Sequence, residues 1–356
     1  MTSDLDKLRR EIDRIDDELL AALERRAAVV RKVGELKGTA PVYRPEREAQ
    51  ILRRVASSSK NLSKEAATAV FREVISACRG LEEAIRVAYL GPAGTFSEQA
   101  VRKHFGAAVE AKPLPSVDDA FRSAESGATQ FTVVPVENSN EGVVGRTLDL
   151  LTQTPLRICG EIELRVQQNL LSKEKALKSI KRVYSHSQSL AQTNGWLGKN
   201  LPRAVRIPVT SNAEAAQRAA KEKGAAAIAG LLAGERYKLN VLAPSIEDSP
   251  DNTTRFLVLG RKLLAASGND RTTLLVSVSH TDSPGALYRL LEPLAQHRVS
   301  MTRIESRPSH RRKWDYIFFI DIDGHAEEPH VARALEALKR RSSLFRVLGS
   351  YPRAVL

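Results

Sequence analysis

The sequence predicts a multidomain chain of three fold classes in succession. They are an all-α unit over residues 1–86, an α/β unit over residues 87–262 and a βαββαβ unit of ferredoxin-like order over residues 272–356. Three observations carry this. Apolar residues recur at helical spacing through the first 85 residues. From Val87 short apolar strands alternate with helical stretches. From Thr272 the order strand, helix, strand, strand, helix, strand appears. A chain of 356 residues has room for two or three cores.

In the first unit Leu5, Leu8, Ile12, Ile15, Leu19, Leu23, Val30 and Val33 recur at spacings of three, four and seven. That spacing predicts one long helix over residues 4–37, stopped by Gly38 and Pro41. A second helix is expected from Pro45 to about Ala56, with Ile51, Leu52 and Val55 turned inward. SSSKNLS reads as a loop. A third helix is expected from Lys64 to Ile85, with Val70, Phe71, Val74, Ile75 and Leu81 as its apolar stripe.

In the second unit VAYL is a short strand, followed by the turn GPAGTFSEQA and a helix. FTVVPV is a second strand and ends in ENSNEGVVG. The alternation runs on through ICGEIELRV, KRVYSHS and AAAIAGLLAGERY to the strand FLVLG, and predicts a largely parallel sheet. Residues 261–271 read as a linker. In the third unit TLLVSVSH, VSMTRIES, WDYIFFIDI and LFRVLGSYP are the strands, with GALYRLLEPLAQ and HVARALEALKRR as helices.

The bulk properties exclude several classes. Two cysteines, Cys78 and Cys159, stand far apart, which argues against a disulfide framework or a zinc site and fits a reducing compartment. The first twenty residues are charged throughout and no run approaches 18 apolar residues, so neither a leader nor a membrane span is expected. A cytoplasmic location follows as an expectation. The net charge of +13 is spread evenly. There are 18 basic against 15 acidic residues over 1–86, 23 against 18 over 87–270 and 14 against 9 over 271–356. No basic arm or aromatic-interleaved stripe stands out, which argues against nucleic acid and suits small anionic substrates.

Several residues invite a chemical reading. Arg26 and Lys37 fall within about 20° of each other around the first helix, and Arg9 lies about 100° from Arg26 and roughly 25 Å along the axis. A site using all three needs Arg9 from a second chain; a solvated basic face is the other reading. GPAGTFSEQA opens a helix, where free N–H groups and the helix dipole favour a carboxylate. VVPVENSNEG exposes Glu137, Asn138 and Ser139 at a strand end, where open α/β sheets bind ligands. SHSQSLAQTNGWL and TSNAEAAQ are further polar loops, and DNTTRF places Asn252, Thr253, Thr254 and Arg255 at the mouth of an apolar strand.

Over residues 4–86 the segments LRREIDRIDDELLAALERR, VGELK, YRPERE and FREVISACRGLE resemble the AroQ-type chorismate mutase domain, an intertwined helical dimer that converts chorismate to prephenate. The resemblance implies that Arg26, Arg47 and Arg9 of the partner subunit bind the two carboxylates. Lys37 would contact the ether oxygen and Glu48 the ring hydroxyl. Glu82 stands where many members carry a glutamine facing the ether oxygen, and as a donor it needs its proton. Cys78, one turn earlier, replaces a serine found in some members, and Arg44 an aspartate.

GPAGTFSEQA, VVPVENSNEG, SHSQSLAQ, TSNAEAA and IEDSPDNTTRFLVLG resemble prephenate dehydratase, in order, over the rest of the chain. The whole chain then resembles the bifunctional chorismate mutase–prephenate dehydratases of phenylalanine biosynthesis. Two α/β lobes like those of periplasmic binding proteins are implied, with prephenate in the cleft and no cofactor. Thr254 would assist departure of the ring hydroxyl, Arg255 would orient a carboxylate or brace the site, and Ser97, Asn138, Ser139 and Ser211 would supply hydrogen bonds. Glu137 is expected to pair with Arg255. His186 reads as structural, and Ser187 replaces a usual proline. SPGALYRL and TRIESRPSHRRKWDYIFF resemble the ACT domain of these enzymes. Phenylalanine as effector would sit at a dimer interface against Gly285, Ala286, Leu287 and the turn Glu305, Ser306, Arg307, Pro308, with Ser300 replacing a common asparagine or aspartate. The competing readings are an arogenate-using dehydratase, a non-catalytic amino-acid sensor and an extracytoplasmic solute receptor.

Overall fold

The structure is a computed structural model that describes residues 2–38, 42–278, 284–309 and 316–355, without the side chains of residues 2, 3 and 37. It divides into two compact units. The first holds residues 1–85 with residues 105–110, and the second holds the remainder up to residue 355.

In the first unit α1 (Thr2–Lys37), α2 (Pro45–Ser58) and α3 (Lys64–Gly80) follow the apolar spacing. Pro45 starts α2, where its missing N–H has no partner to lose. The Ser63 side chain caps α3 by accepting from the Ala66 N–H. The third helix ends at Gly80, five residues short of the expected Ile85. Glycine is a weak helix former, and Ile85 is claimed by a strand pairing instead.

The second unit opens with a lobe of β1 (Ile85–Leu90), α4 (Phe96–Phe105), β2 (Val109–Leu114), α5 (Val117–Ser126), β3 (Phe131–Asn138), β4 (Gly142–Val143), α6 (Gly145–Leu151) and β5 (Arg157–Arg165). A second lobe follows with β6 (Asn169–Ser172), β7 (Arg182–His186), α7 (Ser187–Gln192), α8 (Asn194–Asn200), β8 (Val205–Val209), α9 (Asn212–Ala219), β9 (Ala225–Ala229), α10 (Leu231–Tyr237) and β10 (Asn240–Ala243). The chain then returns to the first lobe through β11 (Thr253–Gly260). One sheet has the order β2-β1-β3-β11-β5, with β4 on β3; the other has β10-β6-β9-β7-β8. The sheets are mixed rather than largely parallel as the alternation suggested. β1 and β3 run parallel, but β11 is antiparallel to both of its neighbours. The chain leaves the lobe along β5 and comes back along β11 beside it, so the two must run in opposite directions.

The last part comprises β12 (Asp270–Ser277), α11 (Ala286–Gln296), β13 (Met301–Pro308), β14 (Tyr316–Asp323), α12 (Pro329–Arg340) and β15 (Leu344–Pro352). Its antiparallel order β13-β14-β12-β15 is the ferredoxin-like arrangement. The helices α11 and α12 cover one face, through Leu290, Leu294, Val331 and Leu335. The other face has no helix from this part of the chain among the described residues. Leu275, Ile317, Phe319, Leu348 and Tyr351 from it join Leu148, Leu151, Leu156 and Ile158 of the first lobe in one apolar core. A Cβ at Gly349 would collide with the Ile158 carbonyl oxygen, so glycine permits this close approach of β15 to β5.

Candidate active sites

Where β3 ends and β11 begins, the first lobe meets the second. Thr254 lies directly opposite Asn138 in the antiparallel register. The Asn138 Nδ2 donates to Thr254 Oγ1 and to Asn252 Oδ1, both at 2.8 Å. Its Oδ1 accepts from the N–H groups of Asn140 at 3.0 Å and Glu141 at 3.1 Å. Two backbone donors on the oxygen fix which way the amide faces. An acceptor site of the Thr254 hydroxyl is therefore occupied, and its proton has no protein acceptor among the described residues. Ser139 Oγ accepts from the Thr253 N–H at 3.0 Å and closes the same turn. Asn252, almost fully buried, reaches the second lobe by donating to Gln192 Oε1 at 3.1 Å.

The second-lobe loops are organised around helix starts. His186 Nδ1 accepts from the Gln188 N–H at the start of α7, in keeping with a structural role. Asn212 Oδ1 accepts from the Ser185 hydroxyl and the His186 N–H. Ser211 caps α9 by accepting from the Glu214 N–H, so its oxygen is committed to the helix. Ser97 is buried in the first turn of α4. The Gly94 N–H in that turn does not wait for a ligand carboxylate, because the nearly inaccessible Glu98 takes it at 2.6 Å. Glu98 also accepts from Arg102 on its own helix and from Arg236 on α10 of the second lobe. Burial pushes the Glu98 carboxyl up, but the Gly94 N–H and the two guanidinium groups outweigh it and hold it below the usual range. The sequence reading missed Glu98, since FSEQA shows only an ordinary helical glutamate.

Arg255 does not reach the Thr254 side of the strand. Successive strand residues face opposite sides, and Arg255 points to the far one. Its guanidinium bonds Glu161 at 3.0 Å, Asp321 at 2.6 Å and the Tyr351 hydroxyl at 3.1 Å. The expected role of orienting a substrate carboxylate does not fit this position; bracing does. Burial alone would weaken the cation, but Tyr351, Asp321 and Glu161 overcome it and hold Arg255 charged. Glu137 pairs not with Arg255 but with Arg303 of β13, at 2.8 Å.

In the helical unit the Glu48 carboxylate is gripped by Arg79 with both oxygens, at 2.7 and 2.9 Å. Desolvation raises the Glu48 carboxyl above its ordinary value, against the pull of Arg79 and Arg26. Arg26 keeps one buried guanidinium nitrogen without a hydrogen-bond partner. Glu82 lies beside Gly34, where a Cβ would sit 3.3 Å from its carboxylate, one turn before Lys37 on α1. The Lys37 side chain lies outside the described residues. Cys78 is buried; Arg47 and Arg9 are exposed, the latter beside Asp6. Arg79 was not among the residues singled out in the sequence, because only the packing of α3 on α2 brings it to Glu48.

In the last part Gly285 has φ +86° and starts α11, which continues through Ala286 and Leu287. Glu305, Ser306, Arg307 and Pro308 form the last part of strand β13, paired with β14, rather than the expected turn, and Arg307 bonds Asp149 of α6 at 2.7 Å.

Family comparisons follow the same order along the chain. The model for chorismate mutase type II matches residues 8–83, that for prephenate dehydratase residues 87–263 and that for the ACT domain residues 274–340. The bifunctional chorismate mutase/prephenate dehydratase of Neisseria gonorrhoeae is 49% identical over 364 residues, covering 100% of both chains. That of Pseudomonas aeruginosa is 45% identical, covering 99% of this chain and 98% of its own. The crystal structure of prephenate dehydratase in complex with L-Phe from Arthrobacter aurescens has a TM-score of 0.69 and 38% identity, covering 76% of this chain and 93% of that one. Identity at this level over the full length shows that the chain belongs to the bifunctional chorismate mutase/prephenate dehydratases.

Proposed function

We propose that the helical unit rearranges chorismate to prephenate and that the two-lobed unit converts prephenate to phenylpyruvate, under feedback by phenylalanine at the ACT unit. The observation that carries the dehydratase reading is the Asn138–Thr254 bond. Prephenate breaks its ring C–carboxylate bond as CO₂ leaves, and the freed electron pair aromatises the ring and expels hydroxide. Hydroxide is a poor leaving group and needs a hydrogen-bond donor. Asn138 occupies an acceptor site of Thr254, so the hydroxyl is turned to donate. Ser139 closes the same turn, Ser97 in the first turn of α4 and Ser211 at the start of α9 are proposed to add hydrogen bonds, and Arg255 acts from behind the strand.

The mutase reaction needs no nucleophile, only a dianion held compact and charge stabilised at the breaking C–O bond. Arg26 and Arg47, with Arg9 of the partner subunit, hold the carboxylates; Lys37 and Glu82 face the ether oxygen and Glu48 the ring hydroxyl. The unpartnered Arg26 nitrogen and the position of Glu82 one turn from Lys37 support this reading. A homodimer is part of the proposal. Leu5, Leu8, Ile12, Ile15 and Leu19 form an apolar stripe on α1, each residue at least half exposed in the single chain. The cytoplasm is the proposed location. It fits two free, buried cysteines and the absence of a described helix long and apolar enough to cross a membrane. The test is to incubate the purified protein with chorismate, prephenate and arogenate in separate reactions, with and without phenylalanine. Prephenate and phenylpyruvate are expected from chorismate; product from arogenate alone would reassign the dehydratase substrate.

A further inference from the structure

Four charged residues form a square across the junction between the first lobe and the ferredoxin-like sheet. On the lobe side Glu137 and Arg255 are direct cross-strand partners in the β3–β11 register. On the other side Arg303 and Asp321 are direct partners in the β13–β14 register. The two pairs are joined by Arg303–Glu137 at 2.8 Å and Arg255–Asp321 at 2.6 Å. Glu137 and Arg255 each adjoin one of the two residues of the Asn138–Thr254 bond. The strands therefore present the bond on one face and the clamped charges on the other.

The junction is well ordered by bonding. Asp321 accepts from Thr273 at 2.6 Å, Tyr351 shares a 2.7 Å hydrogen bond with Thr273, and Arg271 also bonds Glu161. Arg303 stands two residues before Glu305, in the same strand β13. A shift of β13 along β14 would pull on Glu137 directly, and a shift of β14 on Arg255. Either would disturb the alignment of Asn138 with Thr254 without any contact to substrate.

We propose that Arg303 and Asp321 are positioning residues for the dehydratase, and that effector occupancy of the ACT unit reaches Thr254 through this square. The effector clause rests on the function proposed above. The test uses the full-length chain and the substitutions Asp321→Asn and Glu137→Gln, with wild type assayed first. Absence of phenylpyruvate formation in wild type would sink the proposed function itself, whereas a difference between wild type and variants tests the square. The readouts are dehydratase kcat and KM, inhibition at saturating phenylalanine, phenylalanine binding by calorimetry and mutase activity as a control of folding.

The expected result is a kcat lowered about 5-fold or more with KM little changed, since alignment acts on the transition state. Inhibition becomes partial while phenylalanine still binds and mutase activity stays. The charge-reversed pair, Glu137→Arg with Arg303→Glu, should recover activity that each single reversal loses. Unchanged kcat and unchanged inhibition in Asp321→Asn or Glu137→Gln would overturn the proposal. Loss of phenylalanine binding itself would also overturn it, by placing these residues in the effector site. Should Asp321→Asn fail to fold, Glu137→Gln decides alone, because its side chain is partly exposed at 37% and tolerates loss of charge.

Discussion

Asn138 donates its side-chain amide to Thr254 across the β3–β11 pair, while the Asn140 and Glu141 N–H groups fix the amide oxygen. All the hydrogen-bonding capacity of Asn138 is used, and Thr254 is left as a donor. Asn138→Asp should therefore be as damaging as Thr254→Ala. The carboxylate put in place of the amide has no proton to give and would draw the threonine hydroxyl toward itself. Each variant should lower dehydratase kcat on the order of 10²–10³-fold, the loss seen when one transition-state donor is removed. Mutase activity should be unchanged. Parallel assays with chorismate and with prephenate check both parts, and an Asn138→Asp enzyme with near-normal phenylpyruvate formation would refute the donor role.

Phe319 is fully buried in the core shared by β14 and the first lobe. Phe319→Ala should remove about 3–5 kcal/mol, the usual result of emptying a large buried site. Because Leu148, Leu151 and Ile158 lie in the same core, the loss should appear in the dehydratase lobe and the ACT unit together. Calorimetry should show one transition moving to lower temperature. An ACT transition that shifts alone would mean the two are stabilised separately. For the same reason deletion of residues 272–356 uncovers these leucines, and point substitutions are the cleaner test of regulation.

Much of the fold was legible because its signals are local. The stripe from Leu5 to Val33 gave α1, and the strand–helix order from Thr272 gave the ferredoxin-like unit. Thr254 and Asn138 stood out as polar groups at the ends of apolar strands. What was not legible depends on distant residues. The outward side of Arg255 means nothing until β14 brings Asp321 there, 66 positions later. Arg236 is 138 positions from Glu98, and no pattern in FSEQA announces it. The mixed sheet also follows from a long-range event, the return of the chain from the second lobe along β11, antiparallel to β5.

Glu98 ties the two lobes through Arg236, and its carboxyl is held below the ordinary 4.5. A lowered value means that the ionised form stabilises the fold above 4.5 and that this contribution disappears as pH falls through the lower native value. Glu98→Gln should melt lower than wild type at pH 7, by roughly 1.5–3 kcal/mol for a hydrogen bond to a charged group. As pH falls through the lowered native value the two proteins should converge, since wild type then loses the same charge. Thermal melts from pH 3 to 7 test this; a gap between the two that stays constant with pH would show that the glutamate acts through shape alone.

The mutase site requires a second chain if Arg9 and Arg26 serve one ligand. They stand 17 positions apart, about 25 Å along α1, and they point about 100° apart. Arg26 sits near Glu48 with a buried nitrogen unpartnered, whereas Arg9 is exposed beside Asp6, at a surface pair that contributes little. The apolar stripe of α1 provides a surface for a partner helix to cover. Arg9→Ala and Arg26→Ala should each reduce mutase activity to near background. Mixed dimers of the two should regain part of it, because half of the sites in a heterodimer combine wild-type Arg26 of one chain with wild-type Arg9 of the other. The remaining sites carry both lesions and stay silent, so activity per heterodimer should approach half that of wild type. Heterodimers isolated on two different affinity tags and assayed with chorismate give the answer. Purified heterodimers that remain as inactive as the parents would mean that Arg9 does not cross to its neighbour, and the stripe on α1 would then need another explanation.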